Sequence, residues 1–563
     1  MLCSLMIVST RAIYPEVTNP SPQETRIQPS PVAMRFQLAR PQVSAEGEVD
    51  LMMRKADNDG SRYPNPAARG FGALAVWAET PHPKLEIVFA ILMLGMTGFF
   101  AAKNIASWPI KLRYPGDLDV TEGRQLKDLI DLREGLPIYA PATPERYNSA
   151  EYGPLFYLLG SRLVDPSRPS FLLPRLLSML ATLGLAAGCA LLAYWLAGSY
   201  LAAGLAALLL LAFAFTTNIG AVVHADTVAL LLWFGGFLIA HRFRATPKIL
   251  LAVPFMTLAL FYKGQYVSSA LAVLLFLLLE KRWRLAAGFA ALLGLAGVSL
   301  FLTFQFVIFR HQAFLQHFLL YNVLPYNPTR GVEAVVVVTV TLIIPILAGL
   351  TYLRAYPDKL VVCYFGWALM LLLLTLGKPG SGLNYCLDLA LVLCPLFAGL
   401  LTKNIRTPPS ALFSLCLLGL ALWLGQLPKV TTTPSPVDFA SDQAVETFLR
   451  KNFPPHAVGL GIFTGDLVRA GLDTPIQNIY QYSWLICKGT LPPQSLITQV
   501  QDHRFRVILL NTDFLNEADA HQRDYLCLPE SLHQAIMQNY RPAERFAFDL
   551  EAKRHYYAWV PRN

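Results

Sequence analysis

Charge is scarce in this chain. Only 15% of its 563 residues are Asp, Glu, Lys or Arg, whereas a soluble globular domain carries about 25%. With 54% hydrophobic residues and a mean hydropathy of +0.43, that shortage excludes an ordinary soluble domain and points to a polytopic membrane protein. Metal-type cysteine spacing is also missing. Of eight cysteines, Cys189, Cys363, Cys386, Cys394 and Cys416 fall in apolar runs and read as small buried hydrophobes. Cys3, Cys487 and Cys527 lie far apart in the two ends, so neither a metal site nor a cofactor is expected. The opening "MLCSLMIVSTRAIYPEV" has no basic stretch before its short apolar core and no clear small-x-small site after it, which makes a weak signal peptide. The net charge of +9 is no nucleic-acid signal in such a chain, because excess Lys and Arg collect in cytoplasmic loops of membrane proteins.

What the chain does have is long apolar runs. Residues 1–84 are polar and Pro-rich and read as a disordered cytoplasmic tail. Apolar segments follow at about 85–102, 171–197, 200–220, 226–241, 248–262, 265–280, 285–308, 332–353, 360–376, 384–401 and 411–427. These predict an all-α membrane domain over 85–429 with about eleven transmembrane helices. With the N-terminus inside, the cytoplasmic loops are "HRFRATPK", "EKRWR", "YLRAYPDK" and "TKNIRTPP", each with at least two Lys or Arg. The opposite loops carry fewer, so the positive-inside rule favours N-in, C-out. Glu280 with Lys281, Arg282 and Arg284 is then a topology anchor. A large loop, 103–170, and a tail domain, 430–563, fall outside. The tail domain mixes strand-like "VILLN" and "HYYAWVP" with helical "DQAVETFLRKNF", which predicts a small extracytoplasmic α/β domain. Cys487 and Cys527 would face an oxidising compartment there, either paired or as two thiols.

The outer loop opens with "YPGDLDVTEGRQL", three acids within six residues. Asp119 and Glu122 fit a capping box ahead of the amphipathic helix "EGRQLKDLIDLREG", with Leu126, Leu129, Ile130 and Leu136 on one side and Gly135 as the stop. A cap does not account for Asp117. On the same face lie Arg175, His224, Asp226, Lys263, Lys378 and Asn384, mostly at the ends of spans. Ionisable residues at such positions are costly and are functional candidates by default. Singly each reads as a snorkelling or packed side chain. Together, acids and cations on one face suit an acid that handles a hydroxyl and cations that hold an anion.

The succession "LREGLPIY", "NSAEYGPLFYLLGSRLV", "PRLLSMLATLG", "HADTVALLLWFGGFLIA", "YKGQY" and "GKPGSGLNYCLDLALVL" resembles the bacterial dolichyl-phosphate-mannose mannosyltransferase-like family over about residues 85–400. The resemblance implies the GT-C glycosyltransferase fold, shared with protein O-mannosyltransferases and with aminoarabinose transferases acting on lipid A. Its members use an acid in the first outer loop as base, often in an adjacent Asp-Glu pair. Here Thr121 precedes Glu122, so that pair is broken. Asp119 is then the first choice of base, with Asp117 and Glu122 next. The implied chemistry is transfer of a sugar from a polyprenyl-phosphate donor to a hydroxyl acceptor (glycan, lipid or protein) at the outer face of the inner membrane, with inversion. Lys263, Lys378 and Arg175 would stabilise the departing lipid phosphate, and His224 would donate a hydrogen bond or merely pack. Asp226 and Asn384 complete the substrate-binding set. Asp117-Leu-Asp119 spells a D-x-D, too short a pattern to predict a metal. The rival reading is a polysaccharide or lipid transporter or flippase, for which the expected internal repeat is not evident.

Overall fold

The computed structural model describes Thr80 and residues 82–562, apart from 149, 324–325, 379, 428–432, 512–529, 551–552 and 554–555. The Pro-rich segment expected as a disordered tail lies outside these residues except for its last positions.

Every predicted apolar segment is helical. In chain order the helices are α1 (Pro83–Ile105), α2 (Trp108–Arg113), α3 (Glu122–Arg133), α4 (Pro154–Gly160), α5 (Leu172–Ala197), α6 (Tyr200–Ala212), α7 (Ala214–Gly220) and α8 (Asp226–Arg242). They continue with α9 (Val253–Tyr262), α10 (Ser268–Leu279), α11 (Trp283–Thr303), α12 (Pro328–Ala355), α13 (Lys359–Thr375), α14 (Cys386–Lys403) and α15 (Pro408–Leu424). Local chemistry sets their ends. Gly198, at φ 65°, stops α5, and the Ser199 hydroxyl caps α6. Asn327 caps α12 ahead of Pro328, and Asp358 accepts from the Leu360 and Val361 N–H groups to open α13.

By length and apolarity five helices can cross a membrane among the described residues: Pro83–Arg113, Leu172–Ala197, Trp283–Ile308, Pro328–Ala355 and Leu383–Lys403. A sixth is counted if α6 and α7, bent by 67°, form one span. About eleven spans were expected; four further apolar helices, Pro247–Tyr262, Ser268–Leu279, Lys359–Thr375 and Pro408–Leu424, are shorter than these. Apolar runs in the sequence continue through turns, so the spans look longer than the helices are. Residues 247–252, for instance, form a 3₁₀ turn and leave α9 only ten residues, which rise about 15 Å against a hydrocarbon core of about 30 Å. Leu383–Lys403 is 94% buried and is the centre of the bundle.

A second core belongs to the C-terminal region. Helix α16 (Pro436–Asn452) starts with a complete capping box between Ser435 and Asp438. There follow β1 (Gly459–Gly461), α17 (Thr464–Arg469), α18 (Ile479–Cys487), α19 (Pro493–Gln501), β2 (Val507–Leu510), α20 (Glu530–Asn539), β3 (Tyr540–Phe546) and β4 (Tyr556–Pro561). The sheet order is β1-β2-β4-β3, with β1 and β2 parallel and the other pairs antiparallel. These strands make a small C-terminal sheet with helices packed beside it.

The two cores meet through the loop at 103–170. Tyr147 pairs with the strand-like segment at Ile476, donating N–H to the Pro475 carbonyl at 2.8 Å and accepting from Gln477 N–H at 2.9 Å. Helix α3 lies under α17 so closely that a Cβ on Gly123 would sit 2.0 Å from the Gly465 nitrogen. Leu126, Leu129 and Ile130 are buried as the stripe predicted, and Gly135 at φ 78° follows the helix end. Leu136 instead is 43% exposed, beyond the turn that breaks the helical spacing.

Candidate active site

The capping box at Asp119 forms by half. Asp119 Oδ1 accepts the Thr121 N–H at 2.7 Å and the Glu122 N–H at 3.2 Å. Glu122 does not reach back to Asp119; its Oε2 takes the Leu118 N–H at 2.8 Å. Its true partner is Arg175. The guanidinium grips it with two bonds, Nε to Oε1 at 2.9 Å and Nη2 to Oε2 at 2.6 Å, and both side chains are wholly buried. Glu122 also accepts the Val223 N–H at 2.7 Å, while Arg175 donates to the carbonyls of Lys111, Tyr114 and Gly116. With every hydrogen-bonding position spent inside the protein, Glu122 and Arg175 clamp the acidic loop to α5, and neither lines the cavities described below.

Asp117 also points elsewhere. It is buried at the seam between the loop and α17, and among the described residues neither of its carboxylate oxygens takes a hydrogen bond. Burial, with the Asp466 carboxylate nearby, pushes its carboxyl well above the usual range, although Lys553 and Arg469 oppose this. Those two cations are already paired: Lys553 Nζ lies 2.9 Å from Asp466, and Arg469 donates to Asp442 at 2.7 Å.

The remaining candidates converge. Asp226 begins α8, Lys263 follows the last residue of α9, and Asn384 sits in the 3₁₀ turn that leads into α14. Asp226 accepts from Lys263 Nζ at 2.8 Å and Asn384 Nδ2 at 3.0 Å, and also pairs with His224 Nδ1 and the Tyr266 hydroxyl. The Lys263 ammonium lies 4.9 Å over the ring of Tyr152. Together they form one wall of a cavity of about 460 Å³ lined by His224, Lys263, Lys378 and Asn384. A smaller recess of about 130 Å³ shares His224 and Asn384 with it and is lined by Asp119. Lys378 takes no ion pair among the described residues, and burial pulls its ammonium below the usual range, opposed by the Glu151 carboxylate and aided by Lys263.

Several lining residues escaped the sequence reading. Arg124 and Glu151, paired at 2.5 Å, are part of the cavity lining, and Thr121, Tyr152, Asn322 and Tyr385 line it as well. Glu151 and Tyr152 lie in "NSAEYGPLF", an available signal. Gly153 shows why that loop is tight: a Cβ there would lie 2.0 Å from the Phe261 carbonyl. Tyr480 and Gln481 arrive from α18, in the C-terminal unit. Deeper, Asp388 is a buried acid in α14 that accepts from Ser268 Oγ at 2.5 Å and from the Tyr364 hydroxyl at 2.7 Å, tying α10 and α13 to the central helix. An apolar groove of about 300 Å³ runs between α12 and residues 376–383, with Arg330 at its edge. Gly382 and Leu383 wall both this groove and the Asp119 recess. No group of three or more His, Cys, Asp or Glu able to hold a metal occurs among the described residues.

No family model and no curated protein matches the chain. Solved structures do. ArnT from Cupriavidus metallidurans in the apo state aligns with a TM-score of 0.53 at 13% identity, covering 82% of this chain and 98% of ArnT. The chain has the GT-C fold. The same ArnT bound to undecaprenyl phosphate gives a TM-score of 0.49 at 13% identity and the same coverage. The Archaeoglobus fulgidus oligosaccharyltransferase in complex with Zn and sulfate gives 0.48 at 13% identity, over 81% of this chain and 72% of that one. In this GT-C bundle Asp226, Lys263 and Asn384 all stand at helix ends on one side of the apolar helices, where residues of the 103–170 loop and the C-terminal region close over them.

Proposed function

We propose that the protein is an integral membrane glycosyltransferase that moves a sugar from a polyprenyl-phosphate donor to a hydroxyl acceptor. The observation that carries this reading is the meeting of three features at residues 378–385. A polar cavity holds Lys378, which has no ion pair among the described residues, a recess presents Asp119, and an apolar groove shares walls with that recess. A lipid-linked phosphate suits that junction. Its tail lies in the groove, and its charge faces Lys378, with Arg330 beside the tail. Asp119 orients the acceptor hydroxyl and takes its proton as the anomeric carbon is attacked. A single displacement from the face opposite the phosphate inverts the anomeric centre. Asp226 holds Lys263 and Asn384 in place, and His224 donates from the wall shared by cavity and recess. The acceptor is a glycan, a lipid or a protein.

The reading places the site at the outer face of the inner membrane, with the N-terminus inside and the shorter apolar helices completing further crossings. A disulfide at Cys487 supports an oxidising compartment for the C-terminal unit; its partner lies outside the described residues, as does Cys527. The five cysteines in apolar helices are free. A transporter is favoured less, because its polar sites belong near the midplane of broken helices and these residues stand at helix ends. Purified protein incubated with labelled undecaprenyl-phosphate sugars tests the proposal. Donor turnover in the wild type, lost in Asp119→Ala, is expected. Failure to bind any lipid-phosphate sugar would sink it.

A further inference from the structure

The charges around the cavity are paired off in a way that bears on the sugar itself. Two carboxylates adjoin the main cavity, Glu151 and Asp226. Glu151 is held by Arg124 at 2.5 Å, with side chains only 15% and 8% exposed. Asp226 is wholly buried and surrounded by four donors, from His224, Lys263, Tyr266 and Asn384. Asp119 lines the recess beyond His224 and Asn384 rather than the main cavity. An ammonium on a sugar ring would thus find no uncommitted carboxylate in the lining of the main cavity, and it would face Lys263 and Lys378.

The cations are spent in the same way. Arg124 belongs to Glu151 and Lys263 to Asp226, which leaves Lys378 for the donor's own phosphate. A carboxylate on the ring would compete with that phosphate and lie near Glu151. The rest of the polar lining is neutral: Gln265, Asn322, Gln481, Tyr152, Tyr385 and Tyr480. Amides and phenols match hydroxyls, which both donate and accept, and the tyrosine faces suit the C–H faces of a sugar ring. Burying an unpaired charge is far costlier than burying a hydroxyl that finds a partner.

From this we infer that the transferred sugar is electrically neutral, a hydroxyl-bearing ring without an amino or carboxyl group. The inference rests on the lipid-linked-donor reading. It assigns Glu151 and Arg124 a role in selectivity: their pairing removes the one cavity carboxylate that would accept an amino sugar.

The test is competition binding to the purified full-length protein, with radiolabelled undecaprenyl phosphate displaced by three matched donors: undecaprenyl-phosphate glucose, glucosamine and glucuronate. No acceptor is needed. The glucose donor is expected to bind at least about tenfold more tightly than either charged one, a discrimination that polar mismatch readily supplies. Arg124→Gln frees Glu151, so the glucosamine gap should narrow while the glucuronate gap persists. A cooperative thermal unfolding transition shows that this variant is folded. Equal or tighter binding of either charged donor by the wild type overturns the inference, as does an unchanged glucosamine gap in a folded Arg124→Gln protein. If undecaprenyl phosphate itself does not bind, the lipid-donor reading fails and takes the inference with it.

Discussion

At the scale of single residues, three acids close together in sequence have three different surroundings. Asp119 is part-exposed and lines the recess, Glu122 is locked to Arg175, and Asp117 is sealed at a domain seam. Capping and catalysis separate at Asp119, because Asn caps about as well as Asp but cannot take a proton. Asp119→Asn should therefore lower donor turnover by about 10²–10⁴-fold with little change in thermal midpoint. Activity close to wild type would remove Asp119 as the base. Glu122→Gln should do the reverse in kind, leaving a buried guanidinium without its counter-charge at a cost of about 3–5 kcal/mol. Chemical denaturation of the variant reads that loss directly; an unchanged midpoint would mean that the clamp is dispensable.

At the scale of elements, the contact between α3 and α17 carries a pH dependence. Asp117 faces Asp466, Lys553, Glu122 and Arg469, and its carboxyl is raised by burial first and by Asp466 next. A raised acid binds its proton more tightly folded than unfolded. Its contribution is complete below the ordinary carboxylate range, near pH 4, and is lost as pH rises through the raised value. Asp117→Asn should remove that loss and stabilise the protein at neutral pH by about 1–3 kcal/mol, the scale of a buried unsatisfied polar group. Unfolding midpoints of both proteins across pH 4–8 check this. The curves should diverge as pH rises, and parallel curves would refute it.

At the scale of the whole molecule, the cavity depends on both units. Tyr480 and Gln481 reach it from α18, which ends at the disulfide-bonded Cys487. Reduction, or Cys487→Ser, should lower stability by about 2–5 kcal/mol, the usual cost of losing a native disulfide, and should weaken donor binding as α18 loosens. Thermal midpoint and donor affinity measured with and without reductant test this; no response in either would detach α18 from the site.

The sequence by itself determined where the helices run and which polar residues stand out among them. Apolar runs, caps and turn residues act over a few positions and are legible locally, and Asp119, His224, Asp226, Lys263, Lys378 and Asn384 stood out as charges or amides in apolar surroundings. Only the tertiary structure decided which of these residues meet. Lys263 and Asp226 are 37 positions apart, and Arg175 and Glu122 are 53 apart. No local pattern encodes such pairings, which arise when packed helices bring their ends together. The same packing turned Glu122 and Arg175 into a clamp, brought Arg124, Glu151 and Tyr480 to the cavity, and broke apolar runs into helices shorter than the runs.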